Sequence, residues 1–147
     1  MNLRITSDLA ATLHKLAANA LPEEACGLLL GRDGGSRDGG SGDGQILALR
    51  PARNVADDPA RRFEIDPAML LATHREARGL GLKVIGHYHS HPNGRAAPSR
   101  RDAARAVEDG QIWLIVTAQA ITAWAATATG GDGTLHGRFL PVNLKVQ

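Results

Sequence analysis

Lys83-Val84-Ile85-Gly86-His87-Tyr88-His89 reads as a strand that runs into Ser90-His91-Pro92. Pro92 offers no N–H to a sheet ladder and stops the strand. Side chains two apart in a strand point the same way, so His89 and His91 converge at its end. Asn93-Gly94 is a turn signal. Ser99-Arg100-Arg101-Asp102 has the form of a helix start with an acidic residue in the first turn. The connection from Pro92 to Pro98 is long enough to bring that tip back beside the two histidines. A fold holding this stretch can gather a strand end and a helix tip around one point.

The rest of the chain supplies a frame for it. Ser7 is placed to cap a helix from Asp8 to Ala20, with Leu9, Leu13, Leu16 and Ala20 on one face. Cys26 to Gly31 reads as a buried strand and Gln45 to Arg50 as a second. Between them, Arg32 to Gly44 lacks apolar side chains and reads as a flexible surface loop. Asn54 to Asp66 reads as a loop with a short strand near Phe63-Glu64-Ile65. Pro67 begins a second helix that ends near Gly79. A third helix is expected over Ser99–Glu108, stopped by Gly110. Ile112–Val116 reads as a central strand paired with Ile121–Ala126. A turn at Gly130 to Gly133 leads to a last strand from Leu135 to Val142. These elements predict an α/β fold with a mixed β-sheet flanked by helices.

The 147 residues fit one domain spanning 1–147, long enough to bury a core without disulfides. Cys26 is the one cysteine, which excludes a disulfide and a Cys-rich metal cluster and suits a reducing compartment. The net charge of +2 does not insist on nucleic acid as a partner. Residues Met1 to Thr6 do not resemble a signal peptide, and no apolar run approaches the ~20 residues that cross a bilayer. The expectation is a cytoplasmic protein with no membrane or nucleic-acid partner.

Two imidazoles and a carboxylate are ligand types that zinc accepts, and three protein ligands leave a fourth position open for water. That pattern points to a catalytic site and to a hydrolase. Ser99 and Asp102 alone would be a capping pair, and His89 and His91 alone would be ambiguous. Their combination at this spacing favours a metal site with His89, His91 and Asp102 as ligands. Hydrolysis also benefits from a base that passes a proton to the leaving amine. Glu23 and Glu24 precede the Cys26 strand, and spacing alone does not choose between them. His87 shares strand parity with the pair and lines the pocket or packs. Cys26 shares parity with Glu24, which places its thiol near the metal or in the core. Arg53, Arg61 and Arg62 stand where they could meet a substrate carboxylate. Phe63 reads as a packing anchor, and His14, His74 and His136 carry no assigned role.

His89-x-His91, seven residues, Ser99, two residues, Asp102 resembles the signature of the JAMM, or MPN-plus, metallopeptidases. Glu24-Ala25-Cys26-Gly27-Leu28-Leu29 is similar to that family's glutamate segment, and the likeness favours Glu24 over Glu23. It extends over nearly the whole chain. The resemblance implies a cytidine-deaminase-like fold, Zn2+ on His89, His91 and Asp102, Glu24 as general base and then acid, and Ser99 as a donor to the tetrahedral oxyanion. The single cysteine rules out deaminase chemistry itself, which needs a Pro-Cys-x-x-Cys pair. The resemblance further implies an isopeptidase or peptidase acting at the C-terminal Gly-Gly tail of a ubiquitin-like sulfur-carrier protein. The alternatives are a non-catalytic MPN scaffold, which typically lacks the ligands, and a DNA-repair-associated relative of the RadC type, which this chain's Glu-Ala-Cys-Gly segment disfavours.

Overall fold

The computed structural model describes residues 2–33, 43–106, 108–127, 130–131 and 133–147. Most of the expected flexible connector between the first two expected strands lies outside the described residues, as do parts of the third helix's end and of the 130–133 turn. The elements in order are β1 (Asn2–Ile5), α1 (Ser7–Ala20), β2 (Cys26–Arg32), β3 (Gly44–Ala52), α2 (Pro67–Gly79), β4 (Lys83–Ser90), α3 (Arg100–Arg105), β5 (Ile112–Val116), β6 (Ile121–Ala126) and β7 (Phe139–Val146).

The strands form one closed sheet in the order β1-β3-β2-β4-β5-β6-β7, with β7 returning to β1. It is mixed, as expected: β4 runs parallel to β5 and antiparallel to β2. The expectation of a sheet flanked by helices is corrected in that the sheet closes on itself. The strand that closes it is β1, which pairs in parallel with both β3 and β7. Four residues are too few to carry a periodic signal, yet Leu3 and Ile5 are fully interior.

Alternation along the strands sorts the core into two sides. Leu3, Ile5, Leu29, Ile46, Tyr88, Leu114 and Val116 share one cluster, and α1 lays Leu13 and Ala17 against it. On the other side Leu28 and Leu30 receive Ala77 of α2. Cys26, Trp113 and Phe139 receive Phe63, Ala103 and Ala106. Gly27 pairs with Tyr88 across the β2–β4 ladder, and a Cβ there would run into the tyrosine ring. The glycine thus makes room for the largest inward side chain of β4.

Several boundaries differ from expectation. Thr6, not Ser7, caps α1, because its Oγ1 accepts from the Leu9 N–H at 3.2 Å and Ser7 is already helical. The third helix stops at Arg105 instead of reaching Glu108, since Ala106 leaves helical geometry and buries itself in the core. Phe63-Glu64-Ile65 forms no strand; Asn54 organises that stretch instead. The last strand starts at Phe139, after a tight turn in which His136 and Gly137 take φ of 55° and 70°. No described helix is long and apolar enough to cross a membrane.

Candidate active site

The β4 ladder explains where the histidines go. His87 and His89 alternate with the inward Tyr88, so their rings lie on the outer side of the closed sheet. His91 follows the strand, held by its N–H on the Val116 carbonyl at 2.9 Å. The chain then turns through Asn93 and Gly94 and returns as α3. Ser99 caps that helix reciprocally: its Oγ accepts from the Asp102 N–H at 3.0 Å, and Asp102 Oδ2 accepts from the Ser99 N–H at 2.8 Å.

This capping box aims Asp102 at the histidines. His89 Nε2 and His91 Nε2 are 3.0 Å apart, and Asp102 Oδ2 lies 3.3 and 3.2 Å from them. All three side chains are buried. The other ring nitrogen of His91 donates to the Arg95 carbonyl at 2.8 Å, which leaves a lone pair on Nε2. In the neutral ring, that lone pair and Asp102 Oδ2 would be two acceptors facing each other at 3.2 Å in the interior. Such a pair repels unless a cation or a proton stands between them. A cation bonded to each atom at about 2.0–2.1 Å would make edges of about 3.3–3.4 Å if tetrahedral and about 2.8–3.0 Å on an octahedral face. The observed triangle falls between these values, so one small divalent ion fits all three atoms.

At Asp102 and His89 the electrostatics agree with that fit, and at His91 they favour the proton as the occupant of the metal-free protein. Burial opposes the charge on Asp102, but hydrogen bonds from His89 and His91 and from the Ser99 N–H outweigh it and hold the carboxyl well below its ordinary range. Burial pulls His89 down, which keeps it in the neutral form a metal needs. Burial also pulls on His91, but Asp102 and the Arg95 carbonyl leave it raised.

Glu24 enters from the residues just before β2. A carboxylate oxygen of Glu24 and one nitrogen from each of His89 and His91 all lie within 4.8 Å of one another. Glu24 is buried, and its Oε1 has no hydrogen-bond partner. Burial, reinforced by the Asp102 charge, pushes Glu24 up to about 7, against the pull of His91 and Arg101. Glu23 has no such surroundings: it is exposed and does not line the cleft that holds His91 and Ser99. The structure thus brings together Glu24, His89, His91, Ser99 and Asp102, the five residues that the resemblance assigns to the site.

The supports around them were less visible. Ser90 locks the end of β4 to the Glu24 segment, donating its N–H to the Ala25 carbonyl at 2.9 Å and accepting from the Ala25 N–H at 2.8 Å through Oγ. Asn54 does more. Its Nδ2 donates to the carbonyls of Glu24 (3.0 Å), Pro59 (3.2 Å) and Arg62 (3.0 Å). Its Oδ1 accepts from the N–H groups of Ala56 and Glu64, both at 3.1 Å. The Glu24 N–H in turn donates to Pro59 at 2.7 Å. Phe63 stacks on the His89 ring at 4.3 Å between centroids, and Arg105 donates to the Phe63 carbonyl. Phe63 is therefore a packing anchor, as expected, and what it anchors is a candidate ligand.

The remaining candidates sort as follows. His87 is buried against Trp113 and pushed down to about 3 by burial, so it packs beside the site as a neutral ring. Cys26 is buried with its thiol pushed up to about 12, first by burial and then by Glu24, which keeps it in the unreactive protonated form. Arg61 lines the cleft above the site, together with His91, Ser99 and Glu24. Arg62 lines a neighbouring cavity, and Arg53 lines none of those described. His136 also lines the cleft, its Nε2 on the Pro98 carbonyl at 3.1 Å. An isolated histidine far along the chain gives no sequence signal of that placement.

Comparison with known proteins places these residues in a lineage. Residues 6–127 match the family model described as prokaryotic homologs of the JAB domain. A desampylase of Haloferax volcanii is 34% identical over 99 residues, 67% of this chain and 66% of that one. A probable TtuB-protein conjugate cleaving protease of Thermus thermophilus is 33% identical over 85 residues, 58% of this chain and 50% of that one. The chain thus matches about two thirds and one half of the length of these relatives. A solution structure of a protein from Desulfitobacterium hafniense superposes with a TM-score of 0.80 at 24% identity, covering 99% of this chain and 92% of that one, a likeness of fold. This chain belongs to the family of prokaryotic homologues of the JAB domain.

Proposed function

We propose that this chain is a zinc-dependent metallopeptidase of the JAMM type, cleaving an amide bond at the C-terminal Gly-Gly tail of a ubiquitin-like sulfur-carrier protein. The observation that carries this reading is the convergence of His89, His91 and Asp102 on one point with the buried carboxyl of Glu24 beside it. The printed names of two relatives, a desampylase and a TtuB-conjugate protease, support the substrate class. The free buried thiol of Cys26 is compatible with a cytoplasmic setting.

Each residue has a task that follows from its place. His89, His91 and Asp102 would hold the ion, Asp102 contributing the negative charge that offsets part of the cation's. When bound, the ion supplies Lewis acidity, acidifying water and polarising a carbonyl oxygen. Glu24, poised near neutrality, takes the proton of the attacking water and delivers it to the leaving amine nitrogen. The Ser99 hydroxyl already accepts from the Asp102 N–H, so its own proton is free to point into the cleft and meet the developing oxyanion. The substrate tail lies extended in the cleft of about 890 Å3 above these groups.

The direct test is to load purified protein with zinc and offer a carrier protein extended beyond Gly-Gly. Cleavage after the Gly-Gly pair, abolished by a chelator and restored by zinc, is the expected result. A protein that purifies with stoichiometric iron, or that cleaves no such amide, would refute the reading. Bound metal of any kind argues against a scaffold role.

Asn54 offers a second measurement. Its amide ties the Glu24 backbone to three points of the following loop, so Asn54→Ala frees the base while leaving the ligand triangle intact. Turnover should fall about 10-fold or more, with zinc content unchanged. Asn54→Asp keeps the two bonds at Oδ1, loses those at Nδ2 and should fall between parent and alanine. Equal loss of bound zinc and turnover in Asn54→Ala would show that the clamp serves the metal instead.

A further inference from the structure

The chain as a whole is nearly neutral, with 17 Lys and Arg against 15 Asp and Glu. Its cleft is not. Arg61, Arg95, Arg100 and Arg101 line it, and among the described residues the one acidic side chain in the same lining is Glu24. Three of these cations come from the segment joining β4 to α3 and from the tip of α3, and Arg61 comes from the loop that Asn54 organises. Two separate parts of the chain thus bring positive charge to the same concavity. Arg61 lies 3.9 Å from Asp58, with both side chains well exposed, and such a contact neutralises little. Among the described residues, Arg95, Arg100 and Arg101 make no ion pair. Arg101 is near enough to Glu24 for its charge to bear on that carboxyl.

Clustering like charges in a concave site is unfavourable for the free protein and favourable for an anionic visitor, because the cleft walls focus the potential. Guanidinium is also the cation best shaped for a carboxylate, which it grips through two parallel N–H bonds. A polypeptide bound where Ser99 and Glu24 reach its amide lies in the cleft that these arginines line.

We infer that the cleft selects a polypeptide bearing carboxylates close to the cleaved bond, on acidic side chains or a nearby free C-terminus. This rests on the amide-cleaving reading and narrows its substrate class. A lysine-rich neighbourhood around the bond is disfavoured by the same charges.

The test uses three dye-labelled peptides of equal length with a central Gly-Gly, flanked by Asp and Glu, by Ser, or by Lys. Binding is read by fluorescence anisotropy on zinc-loaded Glu24→Gln protein, and cleavage on the parent. The acidic peptide should bind about tenfold tighter than the lysine peptide at low salt. That ratio should shrink towards one in about 1 M salt, where the screening length is about 3 Å. The exposed pair Arg95→Glu with Arg100→Glu should erase or invert it. Equal binding of the three peptides, or an acidic preference that survives the double substitution and salt, overturns the inference. So does a single-stranded oligonucleotide that displaces the acidic peptide at lower concentration. Cleavage without charge preference defeats this inference alone. Charge-selective binding with no cleavage of any peptide by the parent defeats the amide-hydrolase reading and leaves the carboxylate subsite standing.

Discussion

Glu24→Gln is expected to lower turnover by about 10²–10⁴-fold, the range that a positioned general base contributes, while leaving zinc content unchanged. The reasoning starts from burial. The Glu24 carboxyl is enclosed, its Oε1 has no hydrogen-bond partner, and burial has pushed it up to about 7. A group so placed accepts and returns a proton at near-neutral pH, whereas an amide of the same shape does neither. The cost to the fold is a second signature. The carboxyl titrates at 4.5 when exposed and at about 7 in the metal-free native state. Between those values the native state holds more protons than the unfolded one, so the stability of metal-free protein falls as pH rises through that window and is lowest above it. Glutamine removes this penalty. Metal-free Glu24→Gln should therefore melt higher than metal-free parent at pH 8 and no higher at pH 4. Thermal melts in chelator at the two pH values, beside kinetics of the zinc-loaded proteins, check both halves. Full activity in the glutamine variant would remove Glu24 from the chemistry.

The parts of this site that were legible in the sequence are those set by short-range geometry. His89 and His91 share a strand face, and Ser99 and Asp102 share a helix tip, so four of the five residues followed from periods of two and three along one stretch of chain. Glu24 did not follow in that way. Its separation from His89 is bridged by the β2–β4 ladder, in which Cys26 pairs with His89, and register between distant strands leaves no local trace. Only the likeness to a known family separated it from Glu23. Closure of the sheet was hidden for the same reason. Strand β1 joins β7 across nearly the whole chain, and its short Leu3–Ile5 alternation has no periodic weight of its own. Asn54 and Arg105 were invisible as supports, and Phe63, read as a packing anchor, gave no sign of the ring it packs on, because each acts through contacts far apart in sequence. An Asn after a strand reads equally well as an ordinary turn residue.

Under the proposed reading Asp102 would serve the ion as well as the helix with one carboxylate, and two substitutions separate those services. Asp102→Asn keeps an oxygen for the Ser99 N–H and so keeps the start of α3, but it loses the charge that holds His91 raised and would bind a cation. Asp102→Ala loses both. Cleavage should drop to background in each, and zinc affinity should fall by well over the roughly 10–100-fold that loss of a mere supporting partner costs. Their folds should differ. In chelator, Asp102→Ala should melt below Asp102→Asn, because removing a helix-capping partner costs about 0.5–2 kcal/mol. Adding zinc should raise the melting temperature of the parent, since a ligand that binds only the native state stabilises it in proportion to the logarithm of one plus its free concentration divided by Kd. Neither variant should respond. A zinc-dependent rise in Asp102→Ala equal to that of the parent would mean that the ion, if bound, sits with Glu24, His89 and His91 instead. Those three groups are also mutually close, and in that arrangement Glu24 would be a ligand and unavailable as the base.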